Sequence, residues 1–235
     1  MDNTVGSLTQ FQKSVISGCL LGDGYLRIMP GRKNAFLEIN HSFGAREYVE
    51  WKFQELKSIC KSEPVKRKGN GKRIAYRFFT RQHPELTKLY GKFYQGKRKI
   101  IPDDLKIDSV ILSVWFMDDG SKCGSSNFYL NTQQFSFEDQ KKLLERLEIL
   151  KLRATLNKDK KYYRIRFLST SIVHLKELMR PHIIPSMQYK LGYNPVETQF
   201  IKRNELEFSF VKRANTPTPV LFIKELDEDI VRSSP

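Results

Sequence analysis

Ile16-Ser17-Gly18-Cys19-Leu20-Leu21-Gly22-Asp23-Gly24 and Leu112-Ser113-Val114-Trp115-Phe116-Met117-Asp118-Asp119-Gly120 are two versions of one nine-residue pattern. Each reads as the end of an apolar helix that delivers a carboxylate just before a glycine. The terminal acids, Asp23 and Asp119, stand 96 residues apart, about the length of one small domain, and that spacing marks a duplicated unit. Two such helices packed side by side would bring Asp23 and Asp119 together at their shared ends, an arrangement suited to a divalent cation. Gly18 and Gly22 permit close approach on the first helix, whereas the second offers Ser113 as its small residue, so the pair should pack asymmetrically.

Working outward, Thr9 and Gln12 form a capping box that opens the first helix. Strands are expected at about 25–29 and 35–42, then a helix over about 45–60 with Val49, Phe53, Leu56 and Cys60 on one face. A strand pair at 63–69 and 73–81 follows, around the turn Gly69-Asn70-Gly71-Lys72, and Pro84 starts the next helix, with Leu86, Leu89, Tyr90 and Phe93 inward. In the second half, Asp108 or Ser109 caps a helix that ends at Asp119-Gly120. A strand follows at 127–135, then a helix from Ser136, strands at about 153–158 and 161–168, and a helix near 171–180. Ile100-Ile101-Pro102 and Ile183-Ile184-Pro185 close the two halves with the same tripeptide. The expected fold class is α+β: two pseudo-symmetric αββαββα repeats, residues 7–105 and 106–200, with the motif helices packed at the repeat interface. A Thr-Pro-rich and then acidic C-terminal extension, 201–235, has no role legible in its sequence.

The chain has 235 residues, with 41 Lys+Arg against 26 Asp+Glu, a formal charge of +15 and a pI near 9.7. That balance points to a polyanionic partner. Forty per cent hydrophobic residues make it globular and not disordered, and no apolar run is long enough to span a bilayer. Cys19, Cys60 and Cys123 form no CxxC pair and fit a reducing compartment, with Cys19 and Cys60 in apolar helical patterns. The N-terminus carries neither a secretory nor a transit signature, so the expected setting is intracellular: a bacterial cytoplasm, or an organelle that makes the protein itself. His41, His83, His174 and His182 lack zinc-type spacing and are assigned no metal role.

Basic residues recur on the strands in phase. Arg73, Arg77 and Arg81 alternate with Ile74, Tyr76 and Phe78; Tyr162, Arg164 and Arg166 alternate with Tyr163, Ile165 and Phe167. Each sheet should therefore have one face for a helical core and one for a ligand. With Lys66 and Lys68 in the first half, and Arg153, Asn157, Asn131 and Gln133 in the second, these residues are the candidate nucleic-acid contacts. Arg and Lys can read guanine and grip phosphates, and Asn and Gln can read adenine.

Phosphodiester hydrolysis needs a nucleophilic water, stabilisation of charge on the phosphate, and help for the departing 3′ oxygen. Mg²⁺ held by carboxylates, with Mn²⁺ as a substitute, supplies all three. The candidate metal set is Asp23 and Asp119 with the helix-end residues Gly22 and Asp118; Asp118 points about 100° from its neighbour, as a cap or supporting residue would. Gln133 or Gln134 is placed to hold a water or a base.

On these motifs the chain resembles the LAGLIDADG homing endonucleases of the single-chain, two-repeat type, over about residues 7–200. Trp115-Phe116-Met117-Asp118-Asp119-Gly120 resembles an intron-encoded subgroup, as do Lys99-Ile100-Ile101-Pro102 and Tyr189-Lys190-Leu191. The resemblance implies metal-binding acids at Asp23 and Asp119 and active-site lysines at Lys99 and Lys190. It also implies a monomeric saddle whose sheets lie in the major groove of a long asymmetric double-stranded DNA target, both strands being cut across the minor groove. Two other readings stay open: an RNA maturase that uses the basic surface on intron RNA, and a DNA-binding regulator descended from the nuclease.

Overall fold

The expected capping box is formed. Thr9 Oγ1 accepts from the Gln12 backbone N–H at 3.1 Å, and Gln12 Oε1 accepts from the Thr9 N–H at 3.1 Å. It opens α1 (Gln10–Leu21) by satisfying two of the amides a helix start leaves without partners. The computed structural model describes residues 6–193 apart from 70 and 125; the extension expected from 201, and the last residues of the expected second repeat, lie outside the described residues. After α1 come β1 (Tyr25–Arg27), β2 (Phe36–Ser42), α2 (Arg46–Leu56), β3 (Val65–Lys68), β4 (Ile74–Phe79) and α3 (Pro84–Phe93). A small hairpin, β5 (Tyr94–Gln95) and β6 (Arg98–Lys99), turns through Gly96 at φ +63°, a left-handed backbone that glycine adopts without strain.

Asp108, with Oδ1 accepting from the Ile111 N–H at 2.7 Å, caps α4 (Ser109–Asp119). The second half continues with β7 (Gly120–Cys123), β8 (Asn127–Leu130), α5 (Phe137–Ile149), β9 (Ala154–Asp159), β10 (Tyr162–Phe167), α6 (Ile172–Met179) and a 3-10 turn over Pro185–Leu191. The strand expected at 127–135 is β8 alone, which ends at Leu130; 131–135 is a turn leading to α5, and β7, directly after α4, is a strand the sequence did not lead us to expect. The four-stranded sheets are antiparallel and share one order, β1-β2-β4-β3 and β7-β8-β10-β9.

α1 and α4 pack against each other at the centre of the core. Every residue from Ile111 to Met117 is buried, as expected of a helix apolar all round and enclosed on all sides. The contact is asymmetric, as its small residues imply. A Cβ on Gly18 would lie 2.6 Å from Val114 Cβ and 2.9 Å from the Ile111 carbonyl oxygen; one on Gly22 would lie 2.4 Å from Asp118 Cβ. The first helix thus contributes bare backbone and the second contributes side chains. Among the described residues no helix is long and apolar enough to cross a membrane.

Candidate active site

The paired ends of α1 and α4 gather charge from both halves. Asp23 follows Gly22, the C-cap of α1, and its side chain is half exposed; partial burial and the nearby Asp118 charge raise its carboxyl above the ordinary carboxylate range. Asp119 is the last residue of α4. Burial, then the charges of Asp23 and Asp118, push its carboxyl up to about 8. The Asp118 charge acting on both groups, and the Asp23 charge acting on Asp119, crowd anions at these helix ends, a donor set of hard oxygens that a divalent cation would relieve. The residues therefore fit such an ion.

Two lysines attend the same helix ends. Lys99, on β6, donates from Nζ to the Gly22 carbonyl at 2.7 Å. Lys190, on the 3-10 turn, donates to the carbonyls of Met117 at 2.5 Å and Asp118 at 3.0 Å. Each ammonium thus caps the carbonyl end of one motif helix, where a positive charge is favoured. Burial lowers both below the usual lysine range, against the pull of the three aspartates. Gln134 completes the Asp119 end, its Nε2 lying 3.1 Å from the Leu21 carbonyl and 3.4 Å from Asp119 Oδ2.

Asp118 is placed otherwise. Its side chain is fully buried: Oδ1 accepts from Lys52 Nζ at 2.6 Å and Oδ2 accepts from the Asp23 backbone N–H at 3.2 Å. Both oxygens are engaged inside the protein, and the Gly22 carbonyl already accepts from Lys99, so of the four candidate metal residues Asp23 and Asp119 keep their carboxylates for the site. Asp23, His41 and Asp118 do bring ligand atoms within 4.8 Å of one another, but the Lys52 ammonium, 3.2 Å from His41 Nε2, serves as the cation of that group. Burial and the Lys52 charge push His41 down to about 4, so its ring is neutral. Lys52 and His41 escape a reading by sequence because a helical lysine defaults to the surface and a lone histidine carries no spacing.

The pairing registers sort the candidate nucleic-acid contacts. Arg77 lies beside Asn40, and Arg67 beside Ala75, on the face away from the buried Ile39 and Phe78. Lys66 and Lys68 pair with Tyr76 and Ile74, which puts them on the opposite face, and Lys66 Nζ sits 3.9 Å from the Phe43 ring centroid. Arg67 is the β3 residue on the arginine side, hidden from sequence reading by a uniformly basic strand. Arg73 and Arg81 flank β4 and are exposed. In the second sheet Arg164 pairs with Asn157 and Arg166 with Thr155, and the carbonyl of Arg153 accepts from the Leu168 N–H; all belong to the face opposite buried Ile165 and Phe167. Arg164 also lies over the Tyr129 ring at 4.0 Å. Asn131 and Gln133, read from the sequence as base contacts, are engaged internally. Asn131 Nδ2 donates to the Asp119 carbonyl at 2.8 Å, and Gln133 Nε2 to Asp159 Oδ2 at 2.8 Å.

Among relatives, the chain is 29% identical over 204 residues to a probable intron-encoded endonuclease 1 of Wickerhamomyces canadensis, covering 80% of this chain and 87% of that one. It is 27% identical over 187 residues to a cytochrome b mRNA maturase bI2 of Debaryomyces hansenii, covering 74% and 71% respectively. Its structure is similar to that of the homing endonuclease I-WcaI bound to its DNA recognition sequence, with a TM-score of 0.74, 28% identity, and 80% of this chain and 89% of that chain covered. The model of the LAGLIDADG DNA endonuclease family matches residues 13–175, more than half of the sequence, and the chain belongs to that family.

Proposed function

We propose that this chain is a site-specific DNA endonuclease that acts as a monomer, takes Mg²⁺ or Mn²⁺, and cuts both strands of a long asymmetric target. Residues 7–105 and 106–200 serve as its two repeats, and together they form a saddle that sets the arginine faces of both sheets against the duplex. The observation that carries the reading is the packing of α1 against α4, the helices whose ends carry Asp23 and Asp119, with one lysine from each half on the carbonyls there.

Asp23 and Asp119 would hold the metal, which would supply positive charge against the negative charge developing on the phosphate. The protein's own groups do the rest. Lys99 and Lys190 sit where an ammonium can turn from a helix carbonyl to a phosphate oxygen and stabilise the transition state. Gln134 is placed to orient a water near Asp119. In the net reaction, water oxygen bonds to phosphorus, the bond to the 3′ oxygen breaks, and the proton passes to that leaving oxygen. Arg67, Arg77, Arg153, Arg164 and Arg166 grip the duplex through its phosphates and base edges.

The likeness to an mRNA maturase favours one further reading, intron RNA as a second ligand of the same basic surface. Incubation of the purified protein with Mg²⁺ and the uninterrupted junction of its host gene separates the two. A defined double-strand break supports the nuclease, and RNA binding with intact DNA supports the maturase alone.

A further inference from the structure

The two catalytic ends are supported by different chemistry, and the difference traces to a charged group that occurs once. A shift of 91 residues matches β2–α2 to β8–α5 in sequence register, carrying Ile39 to Leu130 and Leu56 to Leu147, all buried. The same shift carries Lys52 to Leu143 and His41 to Thr132, while the 96-residue shift of the motifs carries Gly22 to Asp118. The first half thus replaces a buried leucine with a buried lysine, and the second motif replaces a glycine with the aspartate that pairs with it. Lys52 and Leu143 are both wholly inaccessible.

The hydrogen bonds give this pair a direction. An ammonium only donates, so His41 Nε2, 3.2 Å from Lys52 Nζ, must accept, and the neutral ring then carries its proton on Nδ1. That nitrogen faces Asp23 Oδ2 at 3.5 Å. On the other side Lys52 holds Asp118, whose second oxygen takes the Asp23 backbone N–H at 3.2 Å. One lysine therefore stands behind Asp23 on two sides, through the hydrogen bond at its backbone and through the 3.5 Å approach of His41 to its carboxylate. Tyr48 encloses the lysine, with Nζ 4.1 Å from its ring centroid, and ties α2 to α4 by donating to the Val114 carbonyl at 3.1 Å. At the Asp119 end the corresponding work falls to neutral amides, those of Asn131 and Gln134.

We propose that Lys52, acting through Asp118 and His41, is a positioning residue dedicated to Asp23, and that it makes the two strand-cleaving ends unequal. The inference rests on the nuclease reading above. Removing this support loosens one end only, and loss of supporting groups behind a metal ligand typically lowers activity by about tenfold or more.

The test uses the full chain and double-stranded DNA selected by the wild-type protein from a randomised pool in Mg²⁺, with each strand separately end-labelled and cleavage followed in single turnover. Lys52→Leu/Asp118→Ala removes both buried charges together. His41→Leu breaks the arm to the carboxylate, and His41→Gln restores an acceptor for Lys52 and a donor for Asp23. The double variant and His41→Leu should bind DNA as wild type does. Both should cut the same one strand about tenfold more slowly and accumulate nicked product, whereas His41→Gln should regain most of the rate. Wild-type rates on both strands, or equal slowing of both, overturn the proposal. If the double variant melts early, the His41 pair decides by the same criterion. Failure of the wild-type protein to cut any selected duplex refutes the nuclease reading itself, and the inference with it.

Discussion

Lys52→Leu leaves the Asp118 carboxylate buried without its cation. Both side chains are fully inaccessible and 2.6 Å apart, so water cannot replace the ammonium. Breaking a buried pair from one side costs about 3–5 kcal/mol; at about 2–4 °C per kcal/mol for a domain of this size, the variant should melt about 10 °C below wild type. Asp118→Ala should also destabilise, because it strands the ammonium against Tyr48 and the neutral His41. The double variant should recover most of the loss, since replacing both members of a buried pair by apolar groups is often close to neutral. Thermal and urea unfolding of the four proteins form a cycle whose coupling term isolates the pair. Equal melting of wild type and Lys52→Leu, or additive losses in the double variant, would refute the assignment of a mutually dependent buried pair.

Lys99→Met and Lys190→Met should each slow cleavage on saturating enzyme by about 10²-fold, the value of one electrostatic stabiliser in a water-poor site, and each should favour one strand; a supercoiled plasmid with a single site would report this as a long-lived open circle. If roughly ten phosphates are neutralised, log K should fall against log salt with a slope of about −9, and Arg77→Ala or Arg164→Ala should weaken binding and flatten that slope by about one unit. Gly22→Ala forces a methyl to within 2.4 Å of Asp118 Cβ, an overpacking that should cost about 1–3 kcal/mol in urea unfolding.

Much of this architecture could be read ahead of the structure because its signals are local. The Thr9–Gln12 box, Pro84 at a helix start, the Asp108 cap and the inward face of α2 all depend on chemistry within one turn. The duplicated motif located the helix pair, and Gly18 and Gly22 foretold its asymmetry. Signals vanished where tertiary contact decides. β7, Gly120-Ser121-Lys122-Cys123, has no apolar alternation and exists because β8 pairs with it. β5 and β6 are two residues each, too short for a period. The face taken by Lys66 and Lys68 follows from register with β4, and Asn131 and Gln133 spend their amides on Asp119 and Asp159. Lys52 is the sharpest case: periodicity places it beside Val49 and Phe53, yet only the Asp118 carboxylate arriving from the other half lets an ammonium stay buried there.

Asp23 and Asp119 would together hold the divalent metal on which cleavage depends, and the most direct measurement is binding and Mg²⁺-dependent cleavage of one target duplex by Asp23→Asn and Asp119→Asn. Each substitution removes a metal ligand and also relieves the repulsion between carboxylate and phosphate. Cleavage should collapse in both variants while DNA affinity holds or rises. Cleavage at the wild-type rate by both would contradict the account.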